Sequence, residues 1–248
     1  MDSFDMETHV YSEMALLEDT HWWFVARRAI LDRVLTGLKL PTDASILDVG
    51  CGTGGNLSLL SRYGQVHALE MNEAAREHSL RRGIGEVRYG RLPDDIPYPD
   101  SQFDLIVLLD SLEHVEPERE ALQSVANKLK PGGTLLVTVP AFPLLWGPHD
   151  IRHHHKRRYT QGSLRRLFPE AGLILSYLTY FNTLLFPIIL SVRLLQKISG
   201  ADSNRGLKVP PPFINSILTR IFASERFAVG RWYVPFGLSL LARARKPE

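Results

Sequence analysis

Three groups of residues carry chemistry in their types and spacing. The first is Asp48-Val-Gly50-Cys-Gly52-Thr-Gly54-Gly55, with Glu70 twenty residues beyond Gly50. Glycines in such a loop tolerate positive φ and let a ligand approach the main chain. Glu70 supplies a carboxylate able to accept hydrogen bonds from both hydroxyls of a ribose. The second group is Asp110-Ser-Leu-Glu113-His114, where His114 is a candidate general base because imidazole titrates near neutrality. The third is Trp146-Gly-Pro-His149-Asp150-Ile-Arg-His153-His154-His155-Lys156-Arg157-Arg158-Tyr159. A His–Asp pair makes a tuned base, so His149 or His155 with Asp150 is the favoured base and His114 the reserve. Arg157 and Arg158 suit a carboxylate or phosphate, and with Tyr159, Trp146 and Trp22 they form the candidate substrate contacts.

Each group has a plainer alternative. Gly50, Gly52 and Gly55 also satisfy a dinucleotide fingerprint, which would make the chain a nicotinamide oxidoreductase. Asp48 argues against that, since a carboxylate at the loop would repel a pyrophosphate. It suits a cofactor bearing an ammonium and a sulfonium. A protein that keeps the cofactor loop without catalysis is a further alternative. For Asp110-Ser-Leu-Glu113-His114 a structural segment with His114 bonded to main chain is favoured, and no metal is expected. Three adjacent histidines do not ligate one zinc easily, and their spacing is not a standard zinc pattern.

The elements that position these groups read as alternating strands and helices. Residues 10–37 read as helix around the aromatic run His21-Trp22-Trp23-Phe24. Strands are expected at Ser45–Val49, Val66–Met71, Val87–Tyr89, Asp104–Leu109, Thr134–Val139, Leu173–Phe181 and Leu238–Ala242. Helices are expected at Asn56–Arg62, Glu73–Arg82, Pro117–Leu129 and Thr160–Ala171, with a turn at Pro131-Gly132-Gly133. That alternation implies parallel βαβ units in a doubly wound α/β sheet, with ligands at the carboxyl ends of the strands. The expected organisation is an N-terminal helical lid (1–40), a core (41–181), an apolar helical insertion (182–230) and the last strand of the core (231–248).

Hydrophobic content of 44% and charged content of 23% describe a globular chain, and one cysteine excludes an internal disulfide and a cysteine-cluster metal site. A cytoplasmic compartment is expected, since the N-terminus lacks the basic-then-apolar order of a secretion signal. The net charge of +2 hides an asymmetry. Residues 1–150 hold 13 Lys/Arg against 23 Asp/Glu, and residues 151–248 hold 16 against 4. The basic half suggests an anionic partner. Its aliphatic content argues against a phosphate-tracking nucleic-acid surface. The run Phe181–Lys197 is apolar but broken by Pro187 and Arg193, so a membrane span is not expected. A substrate lid, a dimer interface, or peripheral membrane contact through 182–222 all fit it.

Several segments together resemble the class I S-adenosylmethionine-dependent methyltransferases. Ile46-Leu-Asp-Val-Gly-Cys-Gly-Thr-Gly54 is similar to their first motif and Ala68-Leu-Glu70-Met-Asn to the second. Leu92–Asp104 and Leu129-Lys-Pro-Gly-Gly-Thr-Leu-Leu136 resemble the segments leading into strands four and five. The resemblance implies a Rossmann-like seven-stranded, mostly parallel sheet whose last strand inserts antiparallel beside strand five. It implies S-adenosyl-L-methionine as cofactor and S-adenosyl-L-homocysteine as product. It would place Asp48, Gly50, Gly52 and Gly54 along the methionine part, Glu70 at the ribose, Met71, Arg91 and Leu92 at the adenine, and Asp110 near the sulfonium. Asp110, Glu113 and His114 resemble a cation-binding segment of quinone-biosynthesis O-methyltransferases. The His149–Tyr159 element resembles one in a bacterial subgroup linked with cell-surface glycan, lipid or secondary-metabolite pathways. The implied reaction is O-methylation of a hydrophobic or anionic small molecule or lipid-linked glycan, with C- or N-methylation as the alternative.

Overall fold

The computed structural model describes residues 8–191 and 209–248. Seven strands form one sheet: β1 (Ser45–Val49), β2 (Gln65–Glu70), β3 (Glu86–Tyr89), β4 (Phe103–Leu109), β5 (Leu129–Pro140), β6 (Ile174–Phe181) and β7 (Ser239–Arg245). Their order is β3-β2-β1-β4-β5-β7-β6. The first five pair in parallel, and β7 runs antiparallel between β5 and β6. The doubly wound α/β class and the insertion of the last strand are as expected from the sequence. β1 and β4 read as near-continuous apolar runs because both faces of the sheet are covered.

Helices α1 (Thr8–Leu17), α2 (Trp22–Leu38), α3 (Leu57–Leu60), α4 (Glu73–Arg81), α5 (Glu118–Lys128), α6 (Pro148–Arg152), α7 (Gln161–Glu170) and α8 (Pro212–Ser224) accompany the sheet. On one face Leu122 and Val125 of α5 and Leu164 and Phe168 of α7 pack on Leu47, Ile106 and Val137. On the other, Ile30 and Val34 of α2 and Phe222 of α8 pack on Ile46, Leu105 and Leu241. Adjacent strand residues thus serve opposite cores, as the two-residue side-chain period requires.

The structure corrects several boundaries. The single helix expected over 10–37 is two, because the chain turns at Glu18–His21. His21 caps α2, its Nδ1 accepting from the Trp23 amide at 3.2 Å, so a new helix starts where one continuous helix was expected. The Pro131–Gly133 turn lies inside β5, where Gly132 donates to the Lys246 carbonyl and bends the strand without ending it. The last strand begins at Ser239 and continues to Arg245. Within the insertion, residues 186–191 are helical and α8 follows at Pro212. Arg193, Lys197 and Gly206 lie outside the described residues.

Candidate active site

A cavity of about 540 Å³ opens at the carboxyl ends of β1, β2, β4 and β5. The N-terminal helices form one wall through Tyr11, Met14, Glu18, Trp22, Trp23 and Arg27. Of the residues expected at the cofactor, Gly50, Gly52, Glu70, Met71, Arg91, Leu92 and Asp110 all line it.

The glycine loop is built to present main chain. Gly50 and Cys51 donate to the Leu69 carbonyl at 2.8 and 3.1 Å, tying the end of β1 to β2. Gly50 has φ +74, and a Cβ there would meet the Ser111 Cβ at 2.7 Å. Gly52 has φ +56, and no atom lies within 4 Å of the place a Cβ would take. The Glu70 carboxylate is fixed at the foot of this loop. It accepts from the Gly52 amide at 2.8 Å and the Asn72 amide at 2.8 Å. An ionised carboxylate has about four lone-pair sites, so two such bonds orient it without exhausting its capacity for ribose hydroxyls.

Asp48 and Gly54 stand elsewhere than the resemblance implies. Neither lines the cavity. Gly54 faces α4, where a Cβ would meet the Ser79 Oγ at 2.7 Å. Asp48 is buried behind the loop with Oδ2 unpartnered. Burial pushes its pKa up to about 7, against the opposing pull of the Arg27 charge. An open cradle at Gly52, an oriented Glu70 and a buried carboxyl group with one unpartnered oxygen beneath the loop fit a nucleoside cofactor that carries positive charge.

Sequence reasoning missed Arg27 and Glu18. Arg27 is buried, and its Nη2 sits 2.8 Å from Asp110 Oδ2 and bonds Thr138 Oγ1. Thr138 in turn donates to Asp110 Oδ1 at 3.1 Å, and the Arg27 guanidinium lies 5.1 Å from the Trp23 ring centroid. The signal was present: Trp23, Arg27, Ile30, Leu31 and Val34 share one helical stripe, so an arginine stands on the inward face. Glu18 is buried against Gly55, pairs with Arg82 at 2.7 Å, and brings the α1–α2 turn onto the cofactor loop. No local pattern announces that contact, because its partners lie far along the chain.

At the other end of the cavity stand His114, His149, His153, His154, His155 and Lys156. The structure pairs Asp150 with His155, at 2.9 Å from Nδ1 to Oδ1. His149 instead packs on His153, their ring centroids 4.4 Å apart. Asp150 is fully buried and also accepts from Arg158 Nε at 2.8 Å and the Gly147 amide at 2.9 Å. Burial raises the Asp150 pKa, but the His155 bond, the Arg158 charge and these hydrogen bonds outweigh it and hold the carboxyl below the usual range. Asp150 is thus an ionised orienter of His155. His114 meets the His155 ring edge to face, with centroids 4.8 Å apart. Burial first, then the neighbouring His155, His153, His154 and Lys156, pushes the His114 pKa down to about 3.

The remaining expected substrate contacts divide. Trp22 lines the cavity, whereas Trp146 is exposed and lies outside its lining. Arg158 lines it, but its Nε holds Asp150 and its Nη1 donates to the Ala141 carbonyl at 3.1 Å. Arg157 pairs with Glu118 at 2.9 Å, and the buried Tyr159 donates to the same carboxylate at 2.6 Å. Neither Arg157 nor Tyr159 lines the cavity. These three residues brace the loop that carries the histidines.

Glu113, His114 and His155 offer one ligand atom each within 4.8 Å of one another. Glu113 is fully buried with both carboxylate oxygens unpartnered. Burial, then the nearby Asp110, pushes its pKa well above the ordinary range. Two imidazoles and a carboxylate suit a borderline divalent ion such as zinc.

Comparison with known proteins gives the family. The Methyltransferase domain family matches residues 21–176, and the chain belongs to that family. It is 35% identical over 162 residues to the ubiquinone biosynthesis O-methyltransferase of Xanthomonas euvesicatoria pv. vesicatoria, covering 58% of this chain and 67% of that protein. It is 35% identical over 102 residues to the ubiquinone/menaquinone biosynthesis C-methyltransferase UbiE of Azotobacter vinelandii, covering 37% of this chain and 40% of that protein. Against the O-methyltransferase of Xanthomonas campestris pv. campestris (strain B100), also 35% identical, the matched 44% of this chain spans 47% of the relative, about half its length. Among solved structures, the geranyl diphosphate C-methyltransferase of Streptomyces coelicolor, held with Mg2+, geranyl diphosphate and S-adenosyl-L-homocysteine, aligns with TM-score 0.54 at 15% identity. That alignment covers 84% of this chain and 74% of the other. A Haemonchus contortus phosphoethanolamine N-methyltransferase with bound S-adenosylhomocysteine aligns with TM-score 0.59 at 16% identity, covering 88% of this chain and 53% of the other. At these identities the structural likeness is one of fold.

Proposed function

We propose that the protein transfers the methyl group of S-adenosyl-L-methionine to a hydroxyl of a hydrophobic or anionic acceptor, in the cytoplasm. The observation that carries this reading is the His155–Asp150 hydrogen bond of 2.9 Å, in the same cavity as the Gly50–Gly52 loop and Glu70. When bound, the cofactor supplies an electrophilic methyl on a sulfonium. The chain's own residues do the rest. Glu70 would hold the ribose and Gly50 and Gly52 would line the methionine part, with Met71, Arg91 and Leu92, which line the same cavity, at the base. With Nδ1 engaged by Asp150, the His155 Nε2 is the ring nitrogen left to take the acceptor's hydroxyl proton as the oxygen attacks. Asp150 then stabilises the imidazolium so formed. Trp22, Trp23 and Phe24 give the acceptor an apolar wall and keep water from the site.

A base of this kind is needed by a group that must lose a proton to attack, which favours a hydroxyl over an amine with a free lone pair. The relatives act in ubiquinone and menaquinone biosynthesis by their names, which supports a lipophilic acceptor; a lipid-linked glycan or secondary metabolite fits the same walls. The test is methyl transfer to a panel of hydroxylated hydrophobic acceptors by wild type and His155→Gln. Turnover is expected to fall by about 10²–10⁴-fold with cofactor affinity retained. Unchanged turnover would remove His155 from the mechanism.

A second reading rests on the Glu113–His114–His155 cluster. There a divalent ion would bind the acceptor oxygen and lower its pKa, and His155 would be a ligand and not the base. Chelator treatment separates the two: loss of turnover, restored by added zinc or magnesium, identifies the ion, and unchanged turnover excludes it and leaves the His155→Gln result to decide the base.

A further inference from the structure

Helix α8 packs one face on the protein, and among the described residues its other, apolar face is exposed. Its inner face, Asn215, Leu218, Thr219 and Phe222, turns toward the protein body. Asn215 accepts from the Trp22 amide and donates to the Thr20 carbonyl, both at 2.8 Å, and Phe222 is fully buried against Trp22. Its outer face carries Phe213, Ile214, Ile217 and Ile221 at helical spacing, with Phe213 77% exposed. The segment that follows exposes Phe227, Trp232 and Tyr233, the last at 73%. Four exposed apolar side chains on one helix face are more than the single scattered ones that surfaces normally carry.

This platform is anchored. Glu225, at the end of α8, is buried and accepts from the Asn182, Thr183 and Leu184 amides at 2.6–2.8 Å. Tyr177 donates to the Trp232 carbonyl at 2.6 Å and accepts from the Gly230 amide at 2.9 Å. The charge on the platform has one sign. Arg220, Arg226 and Arg231 are exposed, and between Val209 and Pro247 Glu225 is the single acid.

We infer that α8 and the 225–233 segment form a docking surface for an anionic lipid bilayer, independent of which group the enzyme methylates. The apolar stripe would enter the headgroup–acyl boundary, with Trp232 and Tyr233 at the interface and the arginines on lipid phosphates. A second copy of the chain fits less well, because a two-fold contact would bring the same arginines together with no acid to answer them. Trp22 joins α8 to the cavity, so a membrane-borne acceptor would reach the site from this side.

The test is co-sedimentation of the full chain with vesicles of phosphatidylcholine alone and of equal parts phosphatidylcholine and phosphatidylglycerol. Binding is expected to the anionic vesicles and to weaken with salt. Each of Arg220→Ala, Arg226→Ala and Arg231→Ala should weaken it about fivefold at low salt. Ile217→Ser with Ile221→Ser should abolish it while calorimetric affinity for S-adenosylhomocysteine stays at the wild-type value, which certifies the fold. Equal sedimentation with and without phosphatidylglycerol, or unchanged binding by the variants, overturns the inference. So does a wild-type dimer in light scattering that the Ile217→Ser, Ile221→Ser variant reduces to monomer, since a second copy would then cover this face.

Discussion

Asp48 illustrates how one side chain can be tuned against stability. Its pKa is pushed up to about 7 by burial, above the ordinary aspartate value of 3.8. A carboxyl with a raised folded-state pKa contributes stability that is full below pH ~4 and lost as pH rises through ~7. Asp48→Asn is therefore expected to raise the melting temperature of the cofactor-free protein at pH 8 by about 2 °C or more, with little change at pH 4, and to weaken binding of the cationic cofactor. Scanning calorimetry at the two pH values checks the first part; a variant less stable than wild type at pH 8 contradicts it. The glycines make a paired case. Gly52→Ala places a methyl in the open cradle at a positive φ. It should cost about 1–2 kcal/mol of stability, and cofactor affinity should fall at least tenfold. Gly50→Ala drives a Cβ into Ser111 and should show its effect first as lost stability.

At the scale of elements, the His149–Tyr159 loop shows where sequence reading succeeds and where it stops. The loop's chemistry was legible, because histidines, a carboxylate and arginines follow a core strand at the carboxyl edge of the sheet. The pairing within it was not. His149 and His155 are both near Asp150 in the chain, and the turn after α6 sets the partner: His154 takes a φ of +52 and the His155 amide donates back to the Asp150 carbonyl at 2.9 Å. Arg158 and Tyr159 could not be sorted from substrate contacts by type, since Arg158 is held by Asp150 and the Ala141 carbonyl and Tyr159 by the distant Glu118. Tyr159→Phe is accordingly expected to cost about 1 kcal/mol in denaturant unfolding and to leave the acceptor KM unchanged. A raised KM at unchanged stability would return Tyr159 to the acceptor. The parallel strands were the easiest elements to read, because burial on both faces leaves unbroken apolar runs. The α1–α2 break was hidden because the composition stays helical through it.

At the scale of the molecule, the sheet edge, the N-terminal helices and the basic C-terminal half converge on one cavity. Among the described residues no helix is long and apolar enough to cross a membrane. The charge asymmetry finds a local form in the arginines around α8. In the proposed reaction this cavity holds S-adenosylmethionine on Glu70 and the glycine loop, with His155 as base. Calorimetric titration with S-adenosylhomocysteine tests it most directly, using wild type, Glu70→Ala and His155→Gln. Micromolar binding by wild type and His155→Gln, weakened at least tenfold in Glu70→Ala, is the expected result. No binding by wild type, or Glu70→Ala binding as tightly as wild type, would contradict it.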